Sequence, residues 1–119
     1  MVEFVLISVL LLMLLFGLLQ VALLFYARSV TAAAAADGAR YGANADQSPA
    51  AGAARARTLI ARGLGTGMSH RLGCTGTALT DAGVEVAQVR CAGRISSVFA
   101  PIGAFVRIDV AARSVRDQP

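Results

Sequence analysis

Lysine is absent from this chain, and all eleven basic residues are arginine. Beside so much alanine and glycine, that avoidance points to coding bias in a GC-rich genome rather than to chemistry. Histidine occurs once, as His70, within the glycine-rich stretch GLGTGMSHRLG. Ser69, His70 and Asp81 have the residue types of a catalytic triad, but no strand–turn–helix elbow presents the serine. That glycine-rich stretch neither follows a strand nor matches a phosphate loop, which excludes a nucleotide site. Cys74 and Cys91 are the only cysteines. Neither has a second cysteine or a clustered histidine beside it, so no metal site is expected. Arg55, Arg57 and Arg62 lack the interleaved aromatics on which single-stranded nucleic acid stacks. Paired carboxylates and cofactor fingerprints are also missing. The expectation is a protein with no catalytic residues, no cofactor, no metal and no nucleic-acid partner.

Charge is scarce as well, at 15% of residues against 56% hydrophobic. That balance is too apolar for an ordinary soluble domain, and the excess is local. From Phe4 to Ala27 only Ser8, Gly17 and Gln20 fall outside the apolar set. As a helix the run spans about 36 Å, against a hydrocarbon core of about 30 Å. No basic residue precedes Phe4, and the run exceeds the apolar stretch of a cleaved secretory signal, so it reads as a retained transmembrane helix. Every arginine lies after it, which by simple charge counting would hold the remainder in the cytoplasm. The two cysteines argue the opposite, because their natural use is a disulfide in an oxidising exterior; two buried thiols are the alternative. The net charge of +4 would draw such a head toward anionic lipid or envelope polymers.

No proline falls between Tyr26 and Ala43, just after the apolar run, and alanine is the best helix former. The segment YARSVTAAAAADGARYGA (Tyr26 to Ala43) therefore continues the same helix to roughly 40 residues in all. Tyr26 and Arg28 suit the membrane–water boundary, and the small side chains that follow let other helices approach closely. Gly42 is expected to form a left-handed cap, with Ser48 and Pro49 starting a second helix that runs to about Gly63. Ala53, Ala56, Leu59, Ile60 and Leu64 give that helix its apolar stripe. Strand patterns follow in RLGCTGTAL, GVEVAQVRCAG and AFVRIDVAARSV. TDAG (Thr80 to Gly83) forms a hairpin turn between the first two, and SSVFAPIGA links the second to the third. In the second strand Val84 and Val86 share one face while Val89 and Cys91 share the other, which predicts a bulge near Gln88. In the third, Val106, Ile108 and Val110 alternate with a solvated Arg107 and Asp109. The fold class is therefore α+β: a long N-terminal transmembrane helix, a short helix and a small antiparallel sheet of about three strands. Residues 1–44 form the assembly helix and 45–119 the head.

The stretch VEFVLISVLLLMLLFGLLQVALLFYARSVTAAAAADGARYGA resembles the TadE-like family of type IV pilin-related proteins from Tad pilus systems. The Val2-Glu3-Phe4 opening, the leucine-rich run with Gly17, the Arg28-Ser29 exit and the A-x-D-G-A-R-Y-G-A pattern at Ala35 to Ala43 carry the resemblance. Beyond residue 45 it rests on the order of elements and a Pro-Ile-Gly loop before the last strand. The resemblance implies a pilin fold, trimming by a prepilin peptidase just after a glycine, and a helix that anchors the subunit before moving into a filament core. It implies that Glu3 pairs with the free amino terminus of a neighbouring subunit, as a carboxylate in a helical core must find a cation. The family places this glutamate fifth in the mature chain and here it is third, so either cleavage is shifted or the chain does not begin at the natural cut.

Glu3, Phe4, Gly17 and Gln20 are thus the expected assembly residues, and Cys74 and Cys91 the expected disulfide. The expected partners are other pilin subunits, the prepilin peptidase, the pilus assembly platform and, before assembly, membrane lipid. The head is expected outside the cytoplasm, on a single-pass membrane protein that passes into an extracellular pilus, as a major or a minor subunit. The rival reading is a bitopic accessory protein of a cell-envelope complex. There Glu3 is only a favourable charge at a helix N-terminus, while Gly17 and Gln20 contact a fixed partner.

Overall fold

The computed structural model describes residues 1–96 and 105–116. One helix, α1, runs unbroken over Val2–Gly42, about 61 Å at 1.5 Å per residue. Its two parts live in different surroundings. Up to Tyr26 the side chains face outward on every side, with Phe4 76% exposed and Leu15 61%. From Ala27 onward one face is buried through Ala27, Thr31, Ala34, Ala35, Gly38, Ala39 and Gly42. The molecule is accordingly elongated, 74 × 25 × 22 Å. The bare part has no polar face at all, which is the pattern of a helix meant for an apolar surrounding.

Helix α2 spans Pro49–Leu64. The Ser48 hydroxyl accepts a hydrogen bond from the Ala51 amide at 3.2 Å, and Pro49 fills the first helical position, where its missing N–H costs nothing. A short helix, α3, covers Thr66–Arg71. The sequence reading had only a glycine-rich link there. The link breaks at Gly65, whose φ of 90° leaves the helical region, and the residues after it wind one more turn before the sheet.

The sheet is a meander of three antiparallel strands in the order β1-β2-β3, over Leu72–Asp81, Val84–Ser96 and Phe105–Val115. Ala82 (φ 51°) and Gly83 (φ 84°) make the two-residue turn between β1 and β2, and positive φ at both positions matches the right-handed strand twist. Both ladders run residue for residue past Gln88, which faces Thr77 on one side and Arg113 on the other. The expected bulge is therefore absent. Ala87, Val89 and Cys91 form the core face, while Val86 gains its shelter on the outer face between its cross-strand neighbours Leu79 and Val115. The Pro-Ile-Gly loop at 101–103 lies outside the described residues.

Helices α1 and α2 lie side by side on one face of this sheet, α1 chiefly over β3 and α2 over β1. The core between them is Ala27, Ala34, Ala35, Ala39, Ala53, Ala56, Ile60, Leu72, Cys74, Val89, Cys91 and Ile108. Large side chains are few, and burying each contributes about 1.5–3 kcal/mol. The alanines contribute chiefly by letting backbones come close.

Candidate functional site

The pattern at Ala35 to Ala43 sits at the contact of α1 with α2. An ideal Cβ built on Gly38 would stand 2.5 Å from the Gly52 carbonyl oxygen, and one on Gly52 would overlap the Gly38 carbonyl. The two backbones touch, so only glycine fits at either position. One turn on, a Cβ on Gly42 would stand 3.1 Å from the Ser48 carbonyl oxygen and 3.2 Å from the Pro49 Cα, a tight fit short of overlap. Gly42 is thus needed for close approach; the expected left-handed cap is absent, and α1 ends on Ala43 with φ −83°. Around this contact Asp37 accepts a hydrogen bond from Arg55 Nε at 2.7 Å, and the Arg55 guanidinium lies 5.0 Å from the Tyr41 ring centroid.

At the other end of the head, the Tyr26 hydroxyl donates to the Gly63 carbonyl at 3.0 Å, clamping the last turn of α2 to the point where α1 emerges. Thr31, fully buried, donates to the Ala27 carbonyl at 2.8 Å. The helix therefore leaves the head as a rigid rod.

Cys74 and Cys91 face each other across the β1–β2 ladder, 4.1 Å apart at Cα, and are joined by a disulfide on the core side. At that separation they form the narrow kind of antiparallel pair, whose backbone groups point away from each other. The Cys74 carbonyl thus points out of the open edge of β1, where Arg57 donates to it at 3.0 Å. Of the three arginines on α2, Arg55 and Arg57 are engaged within the head and Arg62 is exposed.

Asp109 reaches diagonally across the β2–β3 ladder to a two-pronged pair with Arg90. The hydrogen bond from Arg90 holds its carboxyl below the ordinary value. Partial burial opposes this, and the charges of Arg90 and Arg107 reinforce it. Ser69 donates to the Thr66 carbonyl, and His70 is exposed on α3. Asp81 closes β1 at its far end, about 30 Å along the strand, so the three triad residue types are dispersed. Among the described residues no group of three His, Cys, Asp or Glu side chains could hold a metal.

Glu3 stands in the first turn of α1 and, like Phe4, is exposed. Nothing lies within 4 Å of a Cβ placed on Gly17, and Gln20 is partly shielded. These residues occupy the bare rod, where contacts would come from other molecules.

The rod, apolar on every side and rooted in a small α+β head, is long and apolar enough to cross a membrane. Residues 1–40 match the TadE-like protein family. That match covers the bare rod and the first turns packed into the head. No curated protein and no solved structure matches the chain.

The Asp37–Arg55 pair is half-exposed on both sides, at 46% each. Pairs of this kind contribute about 0–1 kcal/mol, and stacking on Tyr41 adds about 0.5–1 kcal/mol at an exposed site. Asp37→Asn should therefore lower the stability of the head by less than about 1 kcal/mol, and by less still in high salt. Denaturant titrations at two ionic strengths check this; a loss that persists undiminished in high salt would show that the acid acts through something other than its charge.

Proposed function

We propose that this protein is a non-catalytic pilin-like subunit of a Tad pilus. Its bare helix packs with the equivalent helices of other subunits, in the body of the filament or at its tip or base. The observation that carries the reading is the bare rod itself. It stays apolar on all sides for its whole length and is continuous with a helix locked into the head. A permanent anchor needs only to cross the bilayer. A rod fixed rigidly to its head also transmits the position of the head to whatever the rod packs against, as helical assembly requires.

On this reading the head lies outside the cytoplasm, where Cys74 and Cys91 can oxidise. Residues 1–44 are the assembly helix, whose last third also packs into the head formed by residues 45–119. The prepilin peptidase and the assembly platform act on the bare helix while membrane lipid still surrounds it. Glu3 then pairs with the amino terminus of the neighbouring subunit, with Phe4, Gly17 and Gln20 in the surrounding helix contacts.

Glu3→Ala tests the assignment. Losing one member of a buried ion pair costs about 3–5 kcal/mol, because the other charge remains buried and unpaired. Filaments sheared from cells should therefore lose the subunit by about a hundredfold or more, while the variant still fractionates with membranes. Unchanged recovery of the variant would overturn the role given to Glu3, and absence of the wild type from sheared filaments would overturn the subunit reading in favour of a fixed accessory protein.

A further inference from the structure

Where α1 leaves the head, Leu24, Phe25 and Arg28 face Arg90, Arg107, Ile108 and Asp109 of the sheet across a cleft of about 670 Å³. The apolar run ends at Ala27, so with α1 in a bilayer this cleft stands at the level of the headgroups. Its floor is apolar and its rim is cationic. Asp109 is already engaged by Arg90. Arg107 lies directly opposite Arg94 across the β2–β3 ladder, and like charges in that register repel. Among the described residues neither Arg28 nor Arg107 has an ion-pair partner, and both are exposed. Three arginines against one aspartate leave a net charge of two positive around the opening.

We propose that this cleft binds the headgroup of an anionic phospholipid. The phosphate is held between Arg28 and Arg107, and the glycerol end lies along Leu24, Phe25 and Ile108. An arginine fork matches a phosphate with two parallel hydrogen bonds, and Arg28 and Arg107 reach the opening from different elements. The apolar floor continues down the bare helix in the direction a lipid tail would follow. A bound phosphate would also relieve the Arg94–Arg107 repulsion, which Asp109, already held by Arg90, offsets only in part. The site orients the head on the bilayer before assembly, and it rests on the reading of α1 as a membrane anchor.

The test uses the full chain, incorporated into mixed phosphatidylglycerol and phosphatidylcholine vesicles. Flotation reports insertion, and native mass spectrometry of the released protein reports which lipid it retains. The wild type should float and retain phosphatidylglycerol preferentially. Each of Arg28→Gln and Arg107→Gln should float and lower that preference about fivefold, the effect of one cation near a charged surface. Arg107→Lys should keep most of the preference, and Arg40→Gln, on the far end of α1, should keep all of it. Equal retention of both lipids by a wild type that floats would overturn the lipid site and leave the anchor intact. So would an equal loss in Arg40→Gln, since that would mean diffuse charge. A wild type that floats with no vesicle would overturn the anchor and the site together. Cross-linking of Arg107 to an acidic residue of a second copy, without lipid preference, would replace the lipid by a protein partner.

Discussion

Gly52→Ala should unlock the head, lowering its melting temperature by about 10–20 °C. On helix propensity alone the change is favourable, since alanine in a helix interior is about 1 kcal/mol better than glycine. Against that gain stands a backbone contact. The added methyl would overlap the Gly38 carbonyl oxygen and press on the backbone of Gly42, and neither can rotate away as a side chain could. The helices must separate, and with them the layers of alanine on either side, Ala35 and Ala39 against Ala53 and Ala56. Overpacking costs about 1–3 kcal/mol when side chains can adjust, and more when they cannot. A net loss of about 2–3 kcal/mol in a head of this size gives the stated shift, at about 4–8 °C per kcal/mol. Gly38→Ala should behave alike, for the same carbonyl contact seen from the other helix. Gly17→Ala is the control, because its Cβ would meet nothing within 4 Å and should leave the melting of the head unchanged. Thermal unfolding of the full chain in detergent, followed by the sheet signal in circular dichroism, distinguishes these outcomes. A Gly52→Ala head that melts at or above the wild-type temperature would mean that the two backbones part at no cost.

The same contact explains what in the A-x-D-G-A-R-Y-G-A pattern could be read from sequence. The pattern identified the family resemblance, but its physical content was invisible until α2 was in place. Gly38 and Gly42 look like costs to a helix when only α1 is considered, and Gly42 looks like a cap. Their function depends on Gly52, which lies in another helix. The length of α1, the Ser48-Pro49 start of α2 and the turn at Ala82-Gly83 are each set by neighbours in sequence, and these were legible. The single-register sheet was misread at Gln88 because Val86 is sheltered by Leu79 and Val115, partners that only register supplies. Arg90 became the partner of Asp109 for the same reason: the pair is diagonal across strands, while the sequence offers only Arg107, two residues away. Helix α3 was hidden by the glycines around it. Of the candidate assembly residues, the sequence shows their placement in the apolar run. Their partners belong to other chains, and neither a sequence nor a single subunit contains them.

Cys74→Ala with Cys91→Ala should cost the head about 3 kcal/mol without disturbing the backbone contacts between the helices. The bridge closes a loop with a sequence separation of 17, and the chain-entropy account assigns about 3 kcal/mol to a loop of that size. For a domain stabilised by about 5–15 kcal/mol in total, and with a core built mostly of alanine, that is a large share. The bridge also lies at one edge of the sheet. β1 is an edge strand, and its outward Cys74 carbonyl is held only by Arg57. Without the disulfide, β1 depends on its ladder to β2 and on the packing of its own Leu72 and of Ile60 from α2 in the core. Loss should therefore begin at β1. In hydrogen exchange, amides of Thr75 and Thr77 should lose protection before those of Val110 and Ala112 on β3. Because both sulfurs are buried, at 2% and 0% exposure by residue, a reductant reaches them only when this edge opens. Reduction of the wild type should accordingly be slow under native conditions and speed up in denaturant along with the exchange of β1. Fast reduction without denaturant, or a double variant as stable as the wild type, would show that the ladder alone holds the edge and that the bridge adds nothing to it.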